Sequence, residues 1–239
     1  MLVELFSFTP AEIVALLLSV KVAFWATLVI IVPGTCMAWL LARKSFFGKS
    51  LVEALVYMPL VLPPVVPGFL LLVLFGNHGL IGKYLHDHWD ITVAFTWIGA
   101  AMASAVMAFP LMVSATKLAI NHVDTKLEVA AQSLGANPLR VFFTITLPLA
   151  SPGILTGFIL SFSRSLGEFG ATMAFVGNIE GETRTLPLAI FTYIQTPGSD
   201  VPAMRLVVLS MLIALGALMG STMLEKKAMK SLGRAARND

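Results

Sequence analysis

The sequence predicts an all-α, polytopic membrane helix bundle of about five transmembrane helices. Three observations carry this. Hydrophobic residues make up 57% of the 239 residues and charged ones only 12%, against roughly 25% charged in a soluble domain. Several apolar stretches are long enough to cross a hydrocarbon layer, which takes about 20 helical residues. Lys and Arg are dense in every second segment between those stretches and sparse in the others. No polar or Pro/Ser-rich linker divides the chain, so it reads as one domain over 1–239. A net charge of +3, scattered along the chain, gives no basic patch for a nucleic-acid partner.

The first span is expected over 13–42, with Lys21 near its outer end, placed to snorkel to the surface. It is longer than a bilayer requires, so it tilts or projects beyond the lipid. Glu4 and Glu12 precede it, and there is no basic n-region, so the start does not read as a cleaved signal. Cys36, the single cysteine, has no partner for an intrachain disulfide and reads as a small buried apolar side chain. The second span, 54–75, contains Pro59, Pro63, Pro64 and Pro67. Each interior proline removes a backbone donor and clashes with the preceding turn. The span is therefore expected to be broken, and to face protein or a cavity where the freed carbonyls find partners. A kinked structural helix and a pathway-lining helix both meet that requirement. The third span is placed at 91–119, the fourth at 149–168 and the fifth at 204–224.

Orientation follows from the flanks. Arg43, Lys44, Lys49, Lys117, Lys126, Arg140 and the tail residues Lys226, Lys227, Lys230, Arg234 and Arg237 put 11 basic residues on one side, against 5 on the other. The richer side is expected to be cytoplasmic, with the N-terminus outside and the C-terminus inside. The outer side then carries His78, His86 and His88 in one loop and a long polar loop from Asn178 to Pro202. His86 and His88, two apart and without a third ligand, do not make a metal site.

Between the third and fourth spans, 124–148 is the segment richest in local signals. Asp124 is a good N-cap, and Gly135 suits the left-handed position after a last helical turn. Asn137-Pro138 forms an N-cap and first-turn pair, opening a second short helix to about Thr144. Leu127, Ala130, Ala131, Leu134, Val141 and Phe142 give the pair an apolar side. Such a hairpin either docks in a protein groove or lies on the lipid surface.

This segment resembles the coupling motif of ABC importer permeases: Glu-Ala-Ala, three residues, Gly, nine residues, Ile, one residue, Leu-Pro. Here Ala130-Ala131 stand three residues before Gly135, and Ile145, Leu147 and Pro148 follow at the motif's spacing. Val129 occupies the motif's glutamate position and Glu128 precedes it. On a helix that shift turns the carboxylate by about 100°. The resemblance implies a type I ABC importer permease fold in a bacterial inner membrane. It also implies that Glu128, Ala130, Ala131, Gly135, Pro138, Ile145, Leu147 and Pro148 couple the bundle to a separate ATPase. The implied partners are a second copy of this chain, two ATP-binding cassette subunits carrying ATP and Mg, a periplasmic binding protein and the lipid bilayer. This chain itself is then neither an enzyme nor the holder of a cofactor. Gly48-Lys49-Ser50 imitates the end of a phosphate loop, but Arg43 stands where that motif's first glycine belongs.

A second resemblance concerns the cargo. The run from Ser163 to Thr172, the 181–187 run Gly-Glu-Thr-Arg-Thr-Leu-Pro, the 195–198 run Gln-Thr-Pro-Gly and Leu60 to Val66 are similar to the permeases for tetrahedral oxyanions, in particular the molybdate branch. That resemblance implies molybdate as cargo and a molybdate-binding delivery protein, with tungstate or sulfate as alternatives. Pro59, Pro63, Pro64, Ser161, Ser163, Arg164 and Thr172 are the candidates for the translocation pathway. Arg164 lies about 22 Å along a helix from Leu149. It either pairs with Glu168 four residues on or meets the anion directly. The serines and threonine either donate into the pathway or bond their own helix. A membrane hydrolase is disfavoured because no nucleophile and base stand together within the spans. A secondary transporter is disfavoured because Glu168 is the one candidate intramembrane acid and no repeat is visible.

Overall fold

The structure, a computed structural model, describes the backbone of residues 8–235 and the side chains of residues 8–220. The regular elements of the described backbone are eleven α-helices and one π-helical turn. Among the described residues four helices are long and apolar enough to cross a membrane, and a bent pair makes a fifth crossing if it is counted as one.

Helix α1 (Pro10–Arg43) begins in a capping box. The Thr9 hydroxyl accepts from the Glu12 amide at 3.3 Å, and the Glu12 carboxylate accepts from the Thr9 amide at 2.7 Å. Its buried residues, among them Leu18, Val22, Ala26, Ile30 and Ala38, recur every three or four positions, which is one face of a helix. That face meets α5 (Trp97–His122) and α8 (Leu147–Leu166). In lipid there is little hydrophobic drive to bring helices together, so close backbone approach through small residues does that work. A Cβ on Gly34 would come within 2.8 Å of Met112, and one on Gly153 within 2.1 Å of Ala119.

The second span is broken as expected. Helices α2 (Lys49–Val61) and α3 (Val65–Phe75) meet at 110° across the break before Val65. Helix α3 packs on α9 (Gly170–Val176), where a Cβ on Gly68 would sit 2.4 Å from the Ala171 carbonyl. Helices α4 (Leu80–Trp89) and α10 (Leu186–Gln195) flank this end, and α11 (Asp200–Ala235) returns along the bundle. The described chain thus runs between two packed ends. Leu18, Val22, Leu71, Ala100, Phe175 and Val176 cluster at one, and Leu41, Val56, Val113, Ile120 and Val123 at the other.

Several sequence expectations are corrected. The third helix starts at Trp97 rather than near residue 91, because Asp90 and Phe95 adopt positive φ values of 52° and 61° and Thr96 caps the helix. Val93 and Ala94 are nevertheless buried in the core, so their apolar character reflects packing without helix. The fourth helix ends at Leu166, and the residues after Gly167 turn away into α9. The short helix expected to stop near Thr144 instead runs on. Helix α7 (Pro138–Val141) passes through a π turn, Phe142–Thr146, into α8, giving 29 continuous residues from Pro138 to Leu166. Pro148 has no amide to give the carbonyl a turn earlier, and the wider turn accommodates the gap. The outer segments taken for loops contain α4 and α10, so His86 and His88 are helical. Cys36 is exposed on α1 rather than buried; against lipid, a small apolar side chain gains little by facing inward. Lys21 does not merely snorkel: its Nζ stands 3.6 Å from the centre of the Trp97 ring, a cation–π contact. The basic tail residues from Lys226 to Arg237 lie outside the residues whose side chains are described.

One buried ion pair fastens the first helix to the last. Arg205 donates to Glu12 at 2.5 Å, with both side chains almost fully enclosed. Arg205→Met leaves the Glu12 carboxylate buried without its cation and is expected to cost about 3–5 kcal/mol, whereas Glu12→Gln with Arg205→Met recovers most of that loss. Thermal unfolding of the detergent-solubilised protein measures both.

Candidate functional site

The end of the bundle holding the C-termini of α1 and α5 displays the segment 124–148. Asp124 caps helix α6 (Thr125–Ser133), its carboxylate accepting from the Lys126 amide at 2.9 Å. The helix closes on Gly135, whose φ is +88°. The Gly135 amide donates to the Gln132 carbonyl at 2.9 Å and the Ala136 amide to the Ala131 carbonyl at 3.1 Å. These are the two bonds of a Schellman motif, which satisfies carbonyls that a helix end leaves open. Asn137 then caps α7, accepting from the Arg140 amide at 2.7 Å, with Pro138 in the first turn.

No residue of α6 is buried. Leu127, Val129, Leu134, Leu139 and Phe143 are all exposed. Ala130 is exposed and Ala131 half-buried, and nothing lies within 4 Å of where a Cβ on Gly135 would be. Further along, Ile145 and Leu147 are half-buried and Pro148 is exposed. The hairpin presents apolar and small residues outward.

Glu128 does not point outward with them. Its carboxylate lies 2.9 Å from Nε of Arg43, the last residue of α1, and accepts from the Thr146 hydroxyl at 2.6 Å. The same guanidinium donates through Nη2 to the carbonyls of Ile120 and Val123, at 2.8 and 2.9 Å, at the end of α5. Val129, in the motif's glutamate position, faces solvent instead. Sequence reasoning assigned Arg43 no contact with the hairpin and Thr146 no role. An arginine in the last turn of a span, facing a glutamate displaced inward by one position, was the available signal.

The pathway candidates are not gathered round one space. Arg164 pairs with Glu168 at 2.7 Å, and Glu168 also caps α9 by accepting from the Ala171 amide at 2.8 Å. The Arg164 cation is thus matched by a carboxylate within its own segment. Ser161 donates to the Ala108 carbonyl across the α5–α8 contact at 3.3 Å, and Thr172 donates to the Phe169 carbonyl at 2.9 Å. These hydroxyls serve the backbone. Pro59 lies inside α2, and Pro63 and Pro64 form the exposed break, with Pro64 against Gly170. Of these candidates Ser163 alone lines a cavity of about 690 Å³, whose mostly apolar wall includes Leu16, Phe169, Phe191 and Leu218 together with Ser19 and Ser210. A second hollow of about 390 Å³ lies between α5 and α8 and includes Ser114, His122 and Thr156. Among the described residues, no group of three or more His, Cys, Asp or Glu is placed to hold a metal.

Residues 34–227 match the family of binding-protein-dependent transport system inner membrane components. The chain is 53% identical over 226 residues to the molybdenum transport system permease protein ModB of Escherichia coli K12, covering 95% of this chain and 99% of that one. It is 39% identical over 194 residues to the sulfate transport system permease protein CysT of Salmonella typhimurium, covering 81% and 69%. Its fold is similar to that of a chain in the crystal structure of a bacterial ABC transporter involved in alginate import. The TM-score is 0.74 and the identity 17%, over 95% of this chain and 82% of that one.

Because Gly135 holds a left-handed conformation, Gly135→Val is expected to strain the elbow by about 1–2 kcal/mol. The open space around it removes any clash with the bundle. Hydrogen exchange should therefore quicken across Thr125–Ser133 while the global unfolding temperature stays nearly unchanged.

Proposed function

We propose that this chain, which belongs to the family of binding-protein-dependent transport system inner membrane components, is the permease subunit of an ATP-driven importer of molybdate in a bacterial inner membrane. It is a multi-pass membrane transport subunit rather than an enzyme. The observation that carries the coupling reading is the hairpin itself: two short helices joined at Gly135, with no residue of α6 fully buried and its apolar residues Leu127 and Val129 exposed, standing at one end of a packed bundle. A helix whose apolar side packs on nothing within its own chain has that side free for a groove on another.

In this reading the basic-rich end is cytoplasmic, placing the N-terminus outside and the C-terminus inside. Two copies enclose the pathway. ATP-binding cassette subunits receive Ala130, Ala131 and Leu127 in their groove, where the small side chains permit close approach. Gly135 and Pro138 fix the angle of the elbow, and Ile145, Leu147 and Pro148 carry the movement into α8. A molybdate-binding protein delivers the anion at the outer end. Pro59, Pro63 and Pro64 line or gate the route at the break between α2 and α3. Arg164 acts there through its pair with Glu168 rather than as a free anion ligand.

The cargo assignment rests on the greater likeness to a molybdenum permease than to a sulfate permease. Tungstate has nearly the size and charge of molybdate, so it is expected to compete on equal terms. The test is co-purification of the chain with its ATPase and binding protein, followed by uptake into proteoliposomes. Gly135→Trp should lower recovery of the ATPase while the permease stays folded. Excess sulfate should leave molybdate uptake nearly intact; strong inhibition by sulfate would overturn the molybdate assignment, and full ATPase recovery with Gly135→Trp would overturn the coupling reading.

A further inference from the structure

Helix α6 poses a mechanical problem. It buries no residue, and only Val123 and Asp124 separate it from the end of α5. A push on this helix passes to α8 through the Gly135 elbow and α7, which runs on into α8, but the joint at Val123 and Asp124 bends without moving α5. A further linkage is needed to make the hairpin move together with α1 and α5.

Arg43 supplies the geometry of such a linkage. It ends α1, and its guanidinium reaches three groups on two other elements: the Ile120 and Val123 carbonyls of α5 and the Glu128 carboxylate of α6. A cation at a helix C-terminus is electrostatically favoured, and here one cation sits at the ends of α1 and α5 together. Glu128 extends the linkage, since its carboxylate also accepts from Thr146 in the π turn leading to α8. The Arg43 and Glu128 side chains are 14% and 12% exposed, so solvent screens the pair only in part. The fork geometry matters as much as the charge: a lysine ammonium is a point donor and does not reproduce it.

We propose that Arg43 is the positioning residue of the coupling hairpin, a clamp that with Glu128 and Thr146 makes α6 move as one body with the ends of α1, α5 and α8. The glutamate that the family's pattern places on the outward side of this helix is replaced here by exposed Val129, and the neighbouring carboxylate is spent on the bundle instead. This inference rests on the importer reading given above.

The test uses the complete complex in proteoliposomes, measuring oxyanion uptake and ATP hydrolysis in the same preparation, with subunit ratio measured by co-purification. Arg43→Gln and Glu128→Gln are expected to retain the ATPase subunits yet lower the uptake obtained per ATP by roughly five- to tenfold, the size of an ordinary coupling between linked sites. Arg43→Lys, which keeps the charge and loses the fork, should fall between these and the wild type. An unchanged uptake-to-ATP ratio in Arg43→Gln overturns the proposal. So does loss of the ATPase subunits in both glutamine variants, which would make the clamp a requirement of assembly. A wild-type complex that does not assemble or takes up no oxyanion refutes the importer reading itself, a result distinct from either of these.

Discussion

Helices in lipid have little to gain from burying apolar side chains against one another, because the surrounding tails are equally apolar. What holds this bundle is contact at short range. Ala23, Ala26 and Ala38 on α1 and Ala100, Ala103 and Ala108 on α5 are wholly or almost wholly buried, and on α8 Gly153 faces α5 with no room for a methyl group while Gly157 leaves only a tight space for one. Large apolar residues are left on the outside, Leu17, Val29 and Val32 among them. The inversion of the soluble pattern is economical only where lipid is the solvent. It also explains why the three central helices form one rigid unit against which the broken span and the hairpin are set.

The same constraint decides where irregular backbone is tolerated. The break between α2 and α3 lies beside α9, where Gly170 admits Pro64 and Gly68 admits the Ala171 carbonyl. The π turn at Phe142–Thr146 sits where Pro148 interrupts the ladder, and Thr146 within it is buried and bonded to Glu128. Each irregularity meets protein on one side, although Pro63, Pro64, Phe143 and Thr144 stay exposed on the other.

Hydropathy made the long spans legible, since α1 and α11 were found within a few residues at the starts expected, and proline density made the broken second span legible. Hydropathy does not reveal α9 or α10, because short helices lying against a bundle carry no span-length signal. The run at 91–96 reads as helix because Val93 and Ala94, which pack into the core from a loop and turn, give the same apolar composition. At the hairpin, the capping residues were legible because Asp124, Gly135 and Asn137 each act on their own neighbours. The contacts of Arg43 were not, because its partners at Ile120, Val123 and Glu128 lie about 80 residues away in sequence. The ion pair of Glu12 with Arg205, at a separation of 193, was hidden for the same reason.

That α6 lends no side chain to the core has a consequence for how such a protein changes over time. Substitutions at sites that share no partner act additively, so the outward residues of this helix can change without disturbing the spans. The bundle can equally vary while that outward surface stays fixed. Surface and spans are open to separate selection, their side chains meeting at the few atoms round one guanidinium.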